Sequence, residues 1–166
     1  RAPTAAERRS LARTARRAAK QPEAAHTTPD LWLSGDPPLS TVPALAALYA
    51  ARLQGAARED ALRDAIREAG LVRGINPTRK DVLYELADAA GLDVARFAGA
   101  LAAPTTERRV REAFEDALDK GIEVAPALVI GDEWLVAGAR SRDEYRAVLR
   151  RYASVRLGVP PLRTVH

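Results

Sequence analysis

The side chains that most often carry out catalysis are scarce in this sequence. It contains no cysteine and two histidines, His26 in a proline-flanked loop and His166 at the last position. A disulfide framework, a thiolate metal site and a cysteine nucleophile are therefore excluded within these 166 residues. Neither histidine has a partner at metal-ligand spacing, and the glycine-rich motifs that bind phosphates or dinucleotides are absent. The sequence singles out no catalytic, metal-ligating or cofactor-binding residue.

Acidic side chains are numerous, but most are predicted to lie on polar helix faces beside arginines. Glu107 and Arg111 are four residues apart, as are Arg108 and Glu112. We expect exposed ion pairs here, each worth about 0.2–0.5 kcal/mol. Nothing in the spacing selects two carboxylates as an acid–base dyad.

One segment with distinctive chemistry remains, residues 121–145, which read GIEVAPALVIGDEWLVAGARSRDEY. Residues 124–130 are apolar and are interrupted only by Pro126. Such a run predicts a strand buried on both faces, because a strand with one wet face would alternate. Proline lacks a ladder donor and is normally excluded from a buried strand. We therefore expect a special turn where this strand begins, with a cis Ala125–Pro126 peptide bond as its sharpest form.

The residues that follow predict a hairpin and a final helix. Gly131 and Asp132 both tolerate the positive φ of a tight turn, and residues 134–136 form the returning strand. Ser141 and Glu144 have the spacing of a capping box at the start of the last helix.

This order of elements resembles the C-terminal half of a thioredoxin fold, and within it the DsbA family, in particular its FrnE-like branch. The shared pattern is a glycine-led opening ending in proline, an apolar strand, a short turn and a V-x-G-A segment, here residues 121–126, 127–130, 131–132 and 136–139. The resemblance covers roughly residues 41–152. It implies an α/β, thioredoxin-like fold of the DsbA type that is predominantly helical, with a large inserted helical region and a short C-terminal β-hairpin.

By resemblance, the parent protein is a thiol–disulfide oxidoreductase. In that family the residue before the cis-proline offers its backbone N–H and C=O to an extended substrate. The resemblance gives this role to Ala125 and Pro126, with Val124 beside them as a third substrate-binding residue. One departure is severe, since the family's Cys-x-x-Cys is missing. Either the parent protein carries its dithiol outside these residues, or this chain has lost redox chemistry.

Two alternatives stay open beside the oxidoreductase. One is a non-catalytic DsbA-like domain that binds a partner chain through the Pro126 edge. The other is a relative of the kappa-type glutathione transferases or isomerases, which work with a serine near the same place, although residues 136–139 fit that branch less well. The expected partner is a protein or small-thiol substrate at the Pro126 edge, a homodimer is left open, and the resemblance implies a cytoplasmic location.

The rest of the chain is predicted to be mostly helical. Residues 1–40 form a basic helix and a proline-rich connection, in which residues 31–33 are a short edge strand or a hydrophobic plug. Residues 41–120 form a helical insertion domain, residues 121–153 the strand, hairpin and helix described above, and residues 154–166 an irregular tail. Helices are expected over 42–54, 58–69, 78–90, 93–103 and 105–120. In the first of these, Leu45, Leu48, Tyr49 and Leu53 form the predicted inward face.

Charge is concentrated at the N-terminus. Residues 1–20 carry seven basic side chains against Glu7 alone, although the net charge of the chain is only +4. No aromatic residue lies among these arginines, so a solvated helix is favoured over a nucleic-acid-binding one. No apolar run is long enough to span a membrane.

Overall fold

The computed structural model describes residues 3–158. The chain divides into two compact units, Arg1–Glu112 and Ala113–His166. The division falls inside the seventh helix, whereas the four-segment division made from the sequence has a boundary at residue 120. Each unit is described by itself below.

The first unit is all-helical in its described part. Its helices, with a 3₁₀ turn after the first and a π-helical turn after the fourth, are α1 (Ala5–Ala18), α2 (Asp30–Leu33), α3 (Val42–Arg52), α4 (Ala56–Arg67), α5 (Lys80–Ala89), α6 (Val94–Ala102) and α7 (Pro104–Asp119), the last of which continues into the second unit. The longer helices agree with the predicted ones to within a few residues at each end.

The segment around Trp32 is a single helical turn, so the predicted edge strand is wrong. Polar side chains at both ends favour the turn: Thr28 Oγ1 accepts a hydrogen bond from the Asp30 N–H at 3.2 Å, and the Ser34 hydroxyl donates to the Leu31 carbonyl at 2.9 Å. Leu31 is only 5% exposed. The alternative interpretation, a hydrophobic plug, is therefore correct for Leu31.

The core of this unit lies among α3, α4, α5 and α6. Phe97, Leu62 and Leu83 are its largest fully buried side chains. The fully buried face of α3 consists of alanines 46, 47, 50 and 51, and the predicted Leu48 packs against the same core. The prediction is wrong for Leu45 and Leu53, which are 48% and 61% exposed. Because alanine has no bulk beyond Cβ, it lets neighbouring helices approach closely, which a hydrophobicity pattern dominated by leucine does not reveal.

The described part of the second unit contains the end of α7, a two-stranded antiparallel sheet and one further helix. Strand β1 (Ala127–Ile130) pairs with β2 (Trp134–Ala137), and Ala127 lies opposite Ala137. Helix α8 (Arg142–Leu157) follows, so residues 154–157 of the predicted tail are helical, while residues 159–166 lie outside the described residues. Gly131 and Asp132 both have φ of 58°, as the predicted hairpin turn requires.

The predicted capping box of α8 is present. The Ser141 N–H donates to Glu144 Oε2 at 2.7 Å, and the Glu144 N–H donates to Ser141 Oγ at 3.3 Å. The Ser141 backbone N–H, with a smaller contribution from its hydroxyl, lowers the pKa of the Glu144 carboxyl below its usual value. Because the folded-state pKa is lowered, this stabilisation of the helix is present above the unfolded-state pKa and is lost as the pH falls through the folded-state pKa.

We expect Ser141→Ala to raise the pKa of Glu144 part of the way towards its usual value, since the backbone donor remains. Carbon-detected NMR titration of the Glu144 carboxyl measures this shift. Ser154→Ala is the matched control, because the Ser154 hydroxyl bonds the Arg151 carbonyl on the same helix, away from the cap. An identical Glu144 titration in both variants would contradict the capping assignment.

Candidate functional site

The three predicted substrate-binding residues lie together on the surface where β1 begins. Val124 is 53% exposed, Ala125 and Pro126 are also exposed, and the Ala125–Pro126 peptide bond is cis.

Helix α7 ends shortly before this site. Gly121 has φ of 75°, its N–H donates to the Leu118 carbonyl, and the next N–H donates to the Ala117 carbonyl. This is a Schellman motif, which stops a helix and turns the chain away from its axis.

The first cross-strand hydrogen bond shows which backbone N–H and C=O groups of β1 point towards β2. The Gly138 N–H donates to the Pro126 carbonyl at 2.8 Å. Backbone groups alternate in direction along an antiparallel strand, so those of Leu128 also point towards β2. Those of Ala127 and Val129 point the other way. The outer edge of β1 has no partner strand among the described residues.

Ala125 carries the clearest unsatisfied backbone groups of the site. Neither its N–H nor its C=O has a hydrogen-bond partner within residues 3–158. Both groups are on an exposed residue, directly before the proline that starts the ladder. Exposed, unpaired amide groups at the end of a strand can bind an extended peptide by backbone hydrogen bonds.

The expectation that β1 is buried on both faces is wrong for the described chain. Its residues alternate between exposed and half-buried. The half-buried face is the one on which Trp134 meets α8, with the Trp134 and Tyr152 rings edge-to-face at 5.5 Å between centroids. On the opposite face, Val129 and Leu135 are each 37% exposed. An apolar run identifies residues that would be stable in a buried strand, but it does not supply the layer that buries them.

The whole second unit shares this lack of a core. None of its residues with a described side chain is fully buried, whereas the first unit has a core of buried residues. Its exposed large apolar side chains include Phe114, Leu118 and Leu149 besides the two on the sheet. A two-stranded hairpin is marginally stable by itself in water. The hairpin therefore needs further contacts, and the Trp134–Tyr152 ring contact with α8 is one of them.

The turn of the hairpin is held against α8 by close packing. A Cβ added to Gly131 would overlap the Tyr152 hydroxyl, and the positive φ of Gly131 also favours glycine there. Arg156 of α8 forms an ion pair with Glu133 of the turn. Both contacts lie at the turn, whereas the start of β1 pairs with Ala137 at the other end of the hairpin.

The other chemical groups considered from the sequence lie away from this site. His26 is exposed in its loop, and His166 lies outside the described residues. The predicted ion pairs Glu107–Arg111 and Arg108–Glu112 are confirmed at 3.2 and 3.6 Å. Among residues 3–158, no three His, Cys, Asp or Glu side chains lie close enough to hold a metal ion.

Sequence reasoning missed one buried carboxylate, Glu59, which is 8% exposed. It accepts hydrogen bonds from Arg52 Nε at 2.8 Å and from Arg63 Nη2 at 2.6 Å. The sequence signal was the presence of Arg52 and Arg63 on either side of Glu59, because a buried carboxylate must be paired with a positive charge. The arrangement neutralises the carboxylate and gives it a structural role.

No helix within residues 3–158 is both long enough and apolar enough to span a bilayer.

Two comparisons with known proteins concern the family and the fold of the chain. The sequence profile of the DSBA-like thioredoxin domain matches residues 21–150. The crystal structure of a putative protein disulfide isomerase from Nitrosomonas europaea is similar over 70% of this chain, with a TM-score of 0.61 and 22% sequence identity. The chain spans 59% of the length of that protein. A comparison with curated protein sequences finds no match.

Proposed function

Because the chain belongs to the DSBA-like thioredoxin domain family, we propose that it is the helical and substrate-positioning part of a thiol–disulfide oxidoreductase. Its fold is the predicted one, a DsbA-type thioredoxin-like fold that is mostly helical with a short C-terminal hairpin. The observation that carries the proposal is the pair of exposed, unbonded backbone groups on Ala125, directly before Pro126. An extended peptide or a small thiol binds there, with Val124 beside it.

The reaction itself needs a dithiol, which the 166 residues do not contain. In the direction that reduces a substrate disulfide, a thiolate of that dithiol attacks one of its two sulfurs, forms a mixed disulfide and releases the other sulfur as a thiol. The second thiol then attacks the mixed disulfide. The enzyme dithiol ends as a disulfide, and the substrate has gained two electrons and two protons as two thiols. Ala125 and its neighbours hold the substrate in position and supply no electrons.

The open outer edge of β1 supports the idea that a further strand completes the sheet. The outward backbone groups of Ala127 and Val129 would pair with it, and an additional layer would cover Val129 and Leu135. Burial of these side chains would supply the hydrophobic stabilisation that the second unit lacks. The FrnE-like resemblance is the basis for proposing that the parent protein, which would include the further strand, is cytoplasmic.

A second candidate function is a non-catalytic binding domain that uses the same Ala125 site. The absence of cysteine favours it. In that case the chain binds an extended protein segment without any exchange of electrons.

The intact mass and thiol content of the protein from its source cells test the proposal. The sequence corresponds to 17.9 kDa. We expect a larger mass and two thiols titratable under denaturing conditions. A mass of 17.9 kDa with no thiol would end the redox proposal and leave the binding domain.

We expect Ala125→Pro to weaken the binding of oxidised glutathione, a small peptide disulfide, to the 166-residue chain about fivefold. The variant removes the Ala125 N–H, and one neutral hydrogen bond contributes about 1 kcal/mol. Amide shifts in an NMR titration measure the dissociation constant. Ala137→Pro is the matched control, because it removes an N–H that points to the outer edge of β2. Equal dissociation constants for the two variants would show that glutathione does not use the Ala125 donor.

A further inference from the structure

A cavity of about 400 Å³ lies in the first unit, among α3, α5, α6 and the start of α7. Its floor reaches the core, since Leu83 is 1% exposed and Ala46 is 8% exposed. Val42 and Leu101 form apolar walls above this floor. Its volume lies within the range of ordinary small-molecule sites, which combine an apolar lining with a few polar groups.

Tyr84 forms a rigid part of the cavity wall. Its ring packs edge-to-face on the fully buried Phe97, at 6.1 Å between centroids. Its hydroxyl has no hydrogen-bond partner within residues 3–158. The wall therefore offers a fixed apolar surface together with one phenolic donor.

Lys80 gives the cavity an uncompensated positive charge. Its ammonium nitrogen lies 5.6 Å from the centroid of the Tyr84 ring, and no carboxylate in the described chain pairs with it. The acid on the opposite side, Glu107, already binds Arg111 at 3.2 Å. A ligand with one negative charge would thus complement Lys80 without facing an unpaired acid.

We propose that this cavity binds a small carboxylic acid with an apolar body. The apolar body occupies the space above Ala46 and Leu83, where its burial supplies most of the affinity. The carboxylate lies at the rim, where it pairs with Lys80 and accepts a hydrogen bond from the Tyr84 hydroxyl. This site lies wholly within the first unit and does not depend on the Ala125 site or on any thiol.

Octanoate is the probe, and 1-octanol, with the same carbon chain but no charge, is its control. We expect octanoate added to the whole 166-residue chain to shift the amide signals of residues 80–84 and of Ala46, with an affinity about fivefold higher than that of octanol. The factor corresponds to the upper range of an exposed ion pair. Shifts spread over the chain, or equal affinities for octanoate and octanol, would overturn the proposal.

Three variants distinguish the contribution of the Lys80 charge to binding from that of the apolar cavity. Lys80→Met should remove the preference for octanoate over octanol, whereas Lys20→Met, at a residue that does not line the cavity, should leave it unchanged. Ala102→Trp, at an exposed position on the rim, should fill the opening and abolish the binding of both probes. Amide spectra of the free variants show that each is folded. Retention of the full octanoate preference in Lys80→Met would refute the role of this lysine.

Discussion

Replacing Phe97 with alanine is expected to lower the free energy of unfolding of the first unit by about 3–5 kcal/mol. Phe97 is 0% exposed and lies in the cluster formed by α3, α4, α5 and α6. Its removal leaves a cavity in the only fully buried core found within the described residues. It also removes the edge-to-face contact with Tyr84, so the wall of the proposed carboxylate site loses its support.

Phe114→Ala is the matched control, because the chain contains only these two phenylalanines. Phe114 is 63% exposed, so its replacement should change the unfolding free energy by no more than about 0.5 kcal/mol. Amide hydrogen exchange in α3–α6, measured at increasing urea concentrations, gives the unfolding free energy of the first unit for each variant. Similar losses in the two variants would contradict the location of the core.

The sequence predicts the helices of the first unit well because each has a local start or stop signal. Asp93 caps α6 by accepting the Arg96 N–H, and Gly121 ends α7. The errors occur where the outcome depends on neighbours. Residues 31–33 are too few for a period to distinguish strand from helix. The choice between leucine and alanine for the inward face of α3 depends on how closely the adjacent helices approach.

The candidate site was only partly predictable for a similar reason. Pro126, which interrupts the apolar run of residues 124–130, marks the start of β1, and the Gly131-Asp132 turn sets the register of the hairpin. The burial of β1 could not be read from its side chains, because burial depends on which other elements pack on the two faces of a strand. The cavity proposed to bind a carboxylic acid is lined by residues of four helices and has no local sequence signal.

The last prediction tests the direction of the backbone groups of β1. Leu128→Pro removes an N–H that points to Val136 on β2, whereas Val129→Pro removes one that points outward. A single ladder hydrogen bond is worth about 1 kcal/mol, which is comparable with the whole stability of a lone hairpin. In the 166-residue chain, Leu128→Pro should therefore abolish the amide-exchange protection of Val136, and Val129→Pro should largely preserve it. Equal loss in both variants would show that the assigned directions are wrong.

The same pair of variants also distinguishes the two candidate functions. If a further strand completes the sheet in a dithiol-containing protein, the Val129 N–H bonds that strand. Val129→Pro should then be tolerated in the 166-residue chain but should destabilise the complete protein, because proline in a central strand removes a ladder bond. A binding domain with a free outer edge predicts no such difference. The Val129→Pro variant therefore tests the proposed further strand independently of any measurement of thiols.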